Sequence, residues 1–389
     1  MSHYDLVVIG GGIHGAGVAQ AAAAAGHSVL VLEQTALAAG TSSRSSKLIH
    51  GGLRYLEGGH FTLVRECLHE RALLLRLAPK LVRLCPFYLP VYKNSRRAAW
   101  KVRIGLGLYT LLAGRDRISR YQRLPHQRWA RLDGLSTVGL KAVFCYPDAQ
   151  TDDVALTRAV MTSAQSLGAK LQLPAKVLQV DCQERGAVVH YQMAQAARQC
   201  QCRVVVNAAG PWVNEVLHRV SPPPVQLGID LVQGTHILVP GSLQQGLYYV
   251  EAPQDRRAVF IMPWQGHTLV GTTETIYRGN PGEVRPLPEE IDYLWKTLAH
   301  YFPRYRSGER HVLDAFAGLR VLPAQGQAPF AVSRETIVHP DRNEQPRLVT
   351  IYGGKLTAYR ATAAAVMARL STSLPQRTAI ADTAALPLE

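Results

Sequence analysis

Short apolar runs and helical periodicities alternate near both ends of the chain. Asp5-Leu-Val-Val-Ile9 is an unbroken apolar run that stops at Gly10, the pattern of a strand buried on both faces. Residues 13–25 are Ala-rich, which predicts a packed helix, and Gly26 ends it. Ser28-Val-Leu-Val-Leu32 repeats the strand pattern and stops at Glu33. Strand, helix and strand within about 30 residues predict a βαβ unit. Val64, Cys67 and Leu68 fall at helical spacing, so 61–77 reads as a helix closed by Pro79. The middle of the chain changes character. Tyr248-Tyr-Val, Ala258-Val-Phe-Ile-Met and Thr268-Leu-Val-Gly271 are short runs between polar turns, which predicts an antiparallel sheet. Arg347-Leu-Val-Thr-Ile351 is again a buried strand, and an Ala-rich helix follows from about Leu356 to Leu370.

Two glycine turns interrupt this pattern. Gly10-Gly-Gly12-Ile-His-Gly15 fits GxGxxG between a strand and a helix, and Glu33 lies 23 residues beyond Gly10 at the end of the second strand. Glycines let the backbone approach a pyrophosphate, the helix N-terminus stabilises its charge, and Glu33 would accept hydrogen bonds from a ribose diol. The alternative is a glycine-rich turn with no ligand. The stretch from Gly40 to Glu57 is rich in hydroxyls and glycines and predicts no regular element, only a lining for a long cofactor. The second turn, Tyr352-Gly-Gly-Lys-Leu-Thr357, opens the last helix. One helix end at a pyrophosphate and another at the N1–C2=O edge of a flavin, which becomes negative on reduction, favour FAD over NAD. The fold class is therefore α/β. A Rossmann-like FAD-binding domain is expected from 1–78, 145–225 and 315–389. An inserted, mainly antiparallel substrate domain is expected from 79–144 and 226–314.

Composition narrows the classes. The 389 residues are 47% hydrophobic and 18% charged, which excludes a disordered or coiled-coil chain. Six scattered cysteines without a CxxC pair argue against a disulfide framework or a metal site and for a reducing cytoplasm. The start runs straight into a strand, so no signal peptide is expected. No apolar run approaches the roughly 20 residues that span a bilayer. The formal net charge is +15, and between Arg65 and Arg131 stand 16 Lys or Arg against three acids, Glu66, Glu70 and Asp116. Within that block Trp100 to Arg115 encloses a mostly apolar stretch, Ile104 to Gly114. It reads as an interfacial segment with Trp100 and Tyr109 at headgroup depth and arginines on anionic lipid. The competing reading is a buried helix with a solvated basic rim. No nucleic-acid module is recognisable, so nucleic acid is not an expected partner.

These residues carry a family likeness. Asp5 to Glu57 closely resembles the amino-terminal part of the FAD-dependent, quinone-linked respiratory glycerol-3-phosphate dehydrogenases. Blocks in the same order follow at Tyr146–Asp153, Val206–Trp212, Gly234–Val239, Met262–Trp264, Gly271–Glu274, Gly318–Leu322 and Tyr352–Arg360. The most specific pieces are Ser45-Ser-Lys-Leu-Ile-His-Gly-Gly-Leu-Arg-Tyr55 and Gly353-Gly-Lys-Leu-Thr357. The sequence departs from the family pattern at Glu274, where Asp is usual, and Val321, where Pro is usual. It ends at Glu389, where family members usually continue as a helical domain.

The resemblance implies oxidation of sn-glycerol 3-phosphate to dihydroxyacetone phosphate, with electrons passed to quinone. It implies peripheral attachment on the cytoplasmic face of the inner membrane. The implied partners are glycerol 3-phosphate, quinone, an anionic membrane surface and a second copy of the chain. Arg54, Arg320 and Lys355 would surround substrate with Tyr55 and His236 nearby, as a phosphomonoester requires. The competing reading pairs Arg54 and Arg320 with carboxylates at a domain seam. His236 is the favoured base, on the ground that an imidazole titrates near neutrality, with His50 orienting the flavin. Arg320 and Lys355 would stabilise the developing alkoxide. FAD would be held by Gly10, Gly12, Ile13, His14, Gly15, Glu33 and Gln34. From the following loop come Thr41, Ser42, Ser45, Ser46, Lys47, Leu48, Ile49 and His50. Val177, Ala209, Gly210, Gly354, Lys355, Leu356 and Thr357 complete the expected cradle. Two rival functions are an FAD oxidoreductase of another small 2-hydroxy or amino acid, and a flavin-binding membrane-surface module without turnover.

Overall fold

The computed structural model describes residues 1–114, 119–306, 309–324 and 336–389. Among these, two sheets carry the architecture, one of nine strands and one of ten. The first is centred on Ser2–Ile9, which pairs in parallel with Val29–Leu32 on one side and Ala196–Asn207 on the other. Leu348–Tyr352 extends the parallel ladder beyond Asn207. Leu6 and Val8 point into one buried layer and Val7 and Ile9 into the other, which is why 5–9 is apolar without alternation.

The helices are α1 (Ile13–Ala24), α2 (Phe61–Leu77), α3 (Ala99–Leu112), α4 (Asp153–Ser166), α5 (Val213–Leu217), α6 (Pro288–Tyr301) and α7 (Tyr359–Leu370). Small residues surround α1 because it is enclosed. Ala16, Ala19 and Ala23 share one core cluster with Val160 of α4 and Val366 of α7. A side chain at Gly17 would come within 2.7 Å of the Tyr359 ring. Helix α7 begins at Tyr359, three residues later than its Ala-rich pattern suggests. Gly353 and Gly354 take φ of +73° and +117°, and Lys355 to Ala358 form a separate turn closed by the Ala358 amide on the Lys355 carbonyl.

The second sheet contains the predicted antiparallel runs: Leu247–Glu251, Ala258–Trp264 and His267–Gly271 are antiparallel neighbours in that order. Ile229–Val239 pairs with both His267–Gly271 and Asp314–Pro323. The boundary expected at 315 does not hold for the sheets. Residues 315–323 hydrogen-bond along Ile229–Val239 in the second sheet, although the pattern assigned them to the nucleotide-binding part. Residues 145–151 likewise belong to the second sheet, within Leu140–Thr151. Even the loop after Gly40 contributes to it, since Leu48–Ile49 pairs with Gln150 and Ala149. Two short 3₁₀ turns, Thr41–Ser43 and Leu53–Leu56, further structure a stretch expected to have none.

Helix α3 answers the basic block in part. Trp100, Ile104 and Leu111 are 61%, 62% and 72% exposed, whereas Val102, Leu106 and Tyr109 are buried. Tyr109 therefore does not stand at headgroup depth: it is on the inward face because its hydroxyl has buried polar partners. Arg115 and Asp116 lie outside the described residues. No helix among the described residues is long and apolar enough to cross a membrane.

Candidate active site

A cavity of about 610 Å³ runs from Glu33 past both glycine turns to Arg320. At its first end the strand Ser2–Ile9 stops at Gly10, whose φ is +110°. A side chain there would press on the Ala208 carbonyl oxygen at 2.6 Å, and one at Gly15 would overlap the Gly10 carbonyl oxygen. The bare backbone and the N-terminus of α1 thus face the cavity through Gly12 and Ile13. Glu33 lines the cavity with its carboxylate held in place, accepting from the Gly11 amide at 2.6 Å and the Thr35 amide at 2.8 Å. Ser42 Oγ accepts the Ile13 amide at 2.9 Å, so the first residues of the hydroxyl-rich loop cap α1. His14 packs under the second turn, where any side chain at Gly354 would collide with its ring. Burial lowers the His14 pKa to about 4, so the ring is neutral near physiological pH. The shape and the donors fit an extended dinucleotide lying along both turns.

The loop between the two ends is fastened by a buried ion pair. Lys47 Nζ lies 2.7 Å from Asp153 Oδ1, with side chains 7% and 0% exposed. Asp153 Oδ2 also accepts the Ser45 amide and hydroxyl at 3.1 and 2.6 Å, at the start of α4. Lys47 additionally stands over the Trp264 and Phe316 rings.

At the far end Arg54, Lys355 and Arg320 line one wall system with Tyr55, His50 and His236. They come from different elements: the Leu53–Leu56 turn, the turn before α7, and the strand Asp314–Pro323. His50 is tied to the second turn because its amide donates to Thr357 Oγ1 at 3.1 Å. Lys355 Nζ sits 3.9 Å from the centroid of the Tyr55 ring. Arg320 Nη1 donates to Glu274 Oε1 at 2.8 Å, and Arg54 Nη2 approaches the same oxygen at 3.7 Å. Both arginines thus pair with a carboxylate that itself lines the cavity. Among the described cavity-lining residues, cationic side chains outnumber carboxylates at this end, which suits an anionic ligand.

His236 differs from the sequence expectation of an imidazole titrating near neutrality. It is 2% exposed, stacks on Phe316, and its Nε2 lies 2.9 Å from Ser46 Oγ. Its Nδ1 is buried with no hydrogen-bond partner among the described residues. Burial, with the Lys47 and Arg320 charges adding to it, lowers its pKa to about 3. It is a fixed, neutral ring.

Of the residues assigned to FAD from sequence, all but three line the cavity. Gly15 lies beneath the turn and makes room for it. Lys47 spends its charge on Asp153, and Ile49 is fully buried core. Glu274 was noted only as a departure from the family pattern; its pairing with both arginines had no local signal. Arg257, which donates to the Glu274 carbonyl at 3.0 Å, and the cavity-lining Phe260 and Tyr249 were missed for the same reason. Among the described residues no group of acids, histidines and cysteines could hold a metal ion.

Comparison with known proteins shows the family. The model of the family described as FAD dependent oxidoreductase matches residues 5–374. The chain is 38% identical over 376 residues to D-erythritol 1-phosphate dehydrogenase of Brucella abortus, covering 96% of this chain and 74% of that protein. It is 37% identical over 373 residues to glycerol-3-phosphate dehydrogenase of Pseudomonas aeruginosa, covering 94% of this chain and 71% of that protein. The crystal structure of glycerol-3-phosphate dehydrogenase from Bacillus halodurans complexed with FAD superposes with a TM-score of 0.77 at 28% identity. That match covers 99% of this chain and 68% of the other.

Proposed function

The chain belongs to the FAD-dependent oxidoreductase family, and on that premise we propose that it oxidises sn-glycerol 3-phosphate to dihydroxyacetone phosphate. The carrying observation is that Arg54, Arg320 and Lys355 line the same cavity as the two glycine turns. When bound, FAD supplies the acceptor for the hydride that leaves the carbinol carbon. The three cations bind the phosphate and hold the alcohol in register, and Arg320 and Lys355 stabilise negative charge developing on its oxygen. A base must take the hydroxyl proton. His50 fills that role better than His236, whose ring nitrogens are buried or bonded to Ser46 and whose pKa is low. His236 then acts as a neutral wall that orients Ser46 and the substrate. The Gly10–Gly12 turn binds the pyrophosphate and Glu33 the ribose.

Electrons would pass on to quinone at an anionic membrane surface, on the cytoplasmic face of the inner membrane. The exposed Trp100, Ile104 and Leu111 of α3, beside exposed Lys101 and Arg103, support this docking. A second substrate reading, a longer polyol phosphate, is favoured by Glu274, whose carboxylate can accept hydrogen bonds from additional hydroxyls. D-Erythritol 1-phosphate is its probe.

The test is anaerobic addition of each compound to the FAD-loaded protein. Rapid bleaching of the flavin band by glycerol 3-phosphate is expected. Bleaching by neither compound ends the proposal, and faster bleaching by the erythritol ester transfers it to four-carbon substrates.

A further inference from the structure

Helix α3 packs against the loop at the substrate end of the cavity through Val102, Leu106 and Tyr109, and Tyr109 also hydrogen-bonds that loop's backbone. Tyr109 is 1% exposed, and its hydroxyl stands between two partners. It accepts the Gly51 amide at 2.8 Å and donates to Asp148 Oδ2 at 2.7 Å. Asp148 Oδ1 in turn accepts from Arg71 Nη1 at 2.6 Å, and Arg71 is fully buried. Gly51 is packed tightly against this arrangement: a side chain there would lie 2.5 Å from the Tyr109 oxygen and 2.6 Å from Leu68. It also separates His50 from Gly52, whose φ of +74° opens the turn holding Arg54 and Tyr55. Arg97, two residues before α3, bonds Glu57 at the other end of the same loop through Nη2 at 2.6 Å and Glu251 through Nη1 at 3.0 Å.

We propose that Tyr109 is a positioning residue for the oxidation: from α3 it holds the Gly51 amide and so sets where His50, Arg54 and Tyr55 stand in the cavity. The proposal rests on the reading of that cavity as a glycerol 3-phosphate site. Its physical basis is that a buried N–H needs an acceptor, and a hydroxyl that accepts on one side and donates on the other has its direction determined. Phenylalanine fills the same volume but can do neither. The hydroxyl keeps its proton, because burial and the neighbouring Asp148 push its ionisation far upward.

The experiment uses FAD-loaded Tyr109→Phe in steady-state assays with glycerol 3-phosphate. The expected result is a fall of about tenfold in kcat/KM, carried mainly by KM, with FAD content retained. Ser119→Ala is the control, since Ser119 Oγ accepts from Arg71 and is linked to Tyr109 only through Arg71 and Asp148 in these hydrogen bonds. It should lower Tm and leave KM within about twofold. An unchanged KM in Tyr109→Phe, or an equal rise in Ser119→Ala, overturns the proposal. Amide exchange in the wild-type protein is a second arm that needs no variant to fold. The Gly51 amide is expected to be strongly protected, and exchange near the free-peptide rate would refute the proposal. Failure here is distinct from failure of the functional reading, which shows as a wild-type flavin that glycerol 3-phosphate does not bleach.

Discussion

At the Glu33 end the groups that line the cavity come largely from one stretch of chain, residues 10 to 46, with backbone glycines doing most of the shaping. At the Arg320 end the groups come from positions 50, 54, 236, 274, 320 and 355: charged side chains at 54, 274, 320 and 355, and two imidazole rings. The first end is a local device. Its geometry follows from a strand, a turn and a helix in succession, and a single capping hydroxyl, Ser42, joins it to the loop beyond. The second exists only after the strands Ile229–Val239 and Asp314–Pro323 pair and the α7 turn closes beneath them. The two are joined by the loop pinned at Lys47 and Asp153, by its Thr41 hydroxyl on the Leu319 carbonyl, and by His14 against the Gly354 turn.

That pin is the most consequential place to break the comparison. Lys47→Met leaves Asp153 charged and buried with only neutral donors. A loss of about 3–5 kcal/mol in unfolding free energy is expected, measured by denaturant titration. FAD and substrate binding should weaken together in this variant alone; loss of only one would show that the loop does not join the ends.

A crossed pair sharpens the distinction. Arg320→Ala leaves Glu274 beside Arg54 and removes a proposed phosphate contact, so kcat/KM should fall by about 2–4 kcal/mol of transition-state stabilisation while the flavin stays bound. Gly15→Ala drives a methyl into the Gly10 carbonyl, with a cost of about 1–3 kcal/mol that should appear as weaker FAD binding. Spectroscopic FAD content and anaerobic bleaching separate the two outcomes. A colourless Arg320→Ala protein would contradict the division.

Acid touches both ends at once. His14 and His236 have folded-state pKa values near 4 and 3, below the ordinary 6.5. The unfolded chain therefore binds more protons between those values and 6.5, and stability must fall as pH drops through that window. Each histidine withdraws up to about 1.4 kcal/mol per pH unit. Thermal melts from pH 7 to 4 should show this slope. His236→Asn should flatten it, and a slope unchanged in that variant would remove His236 as its source.

Much of the fold was legible without coordinates. The run Asp5–Ile9, the glycine turn and Glu33 announce themselves because strand burial, helix packing and positive φ are requirements met by neighbours in sequence. The three cations were legible through likeness to a family. The boundary at 315 was misread because an apolar strand looks the same in either sheet; only its partner differs. Tyr109 was misread because a tyrosine beside arginines fits a membrane surface as well as a buried hydrogen bond.

What the sequence determined by itself was the dinucleotide turn, the alternation of elements and the supply of charge, since each depends on residues within a few turns of chain. Tertiary structure decided which charges meet. It set Glu274 between two arginines, turned Tyr109 inward onto Gly51, gave Lys47 to Asp153 and took His236 out of the titratable range. Pairing across hundreds of residues and exclusion of water set those outcomes, and both arise only when distant segments are packed against one another.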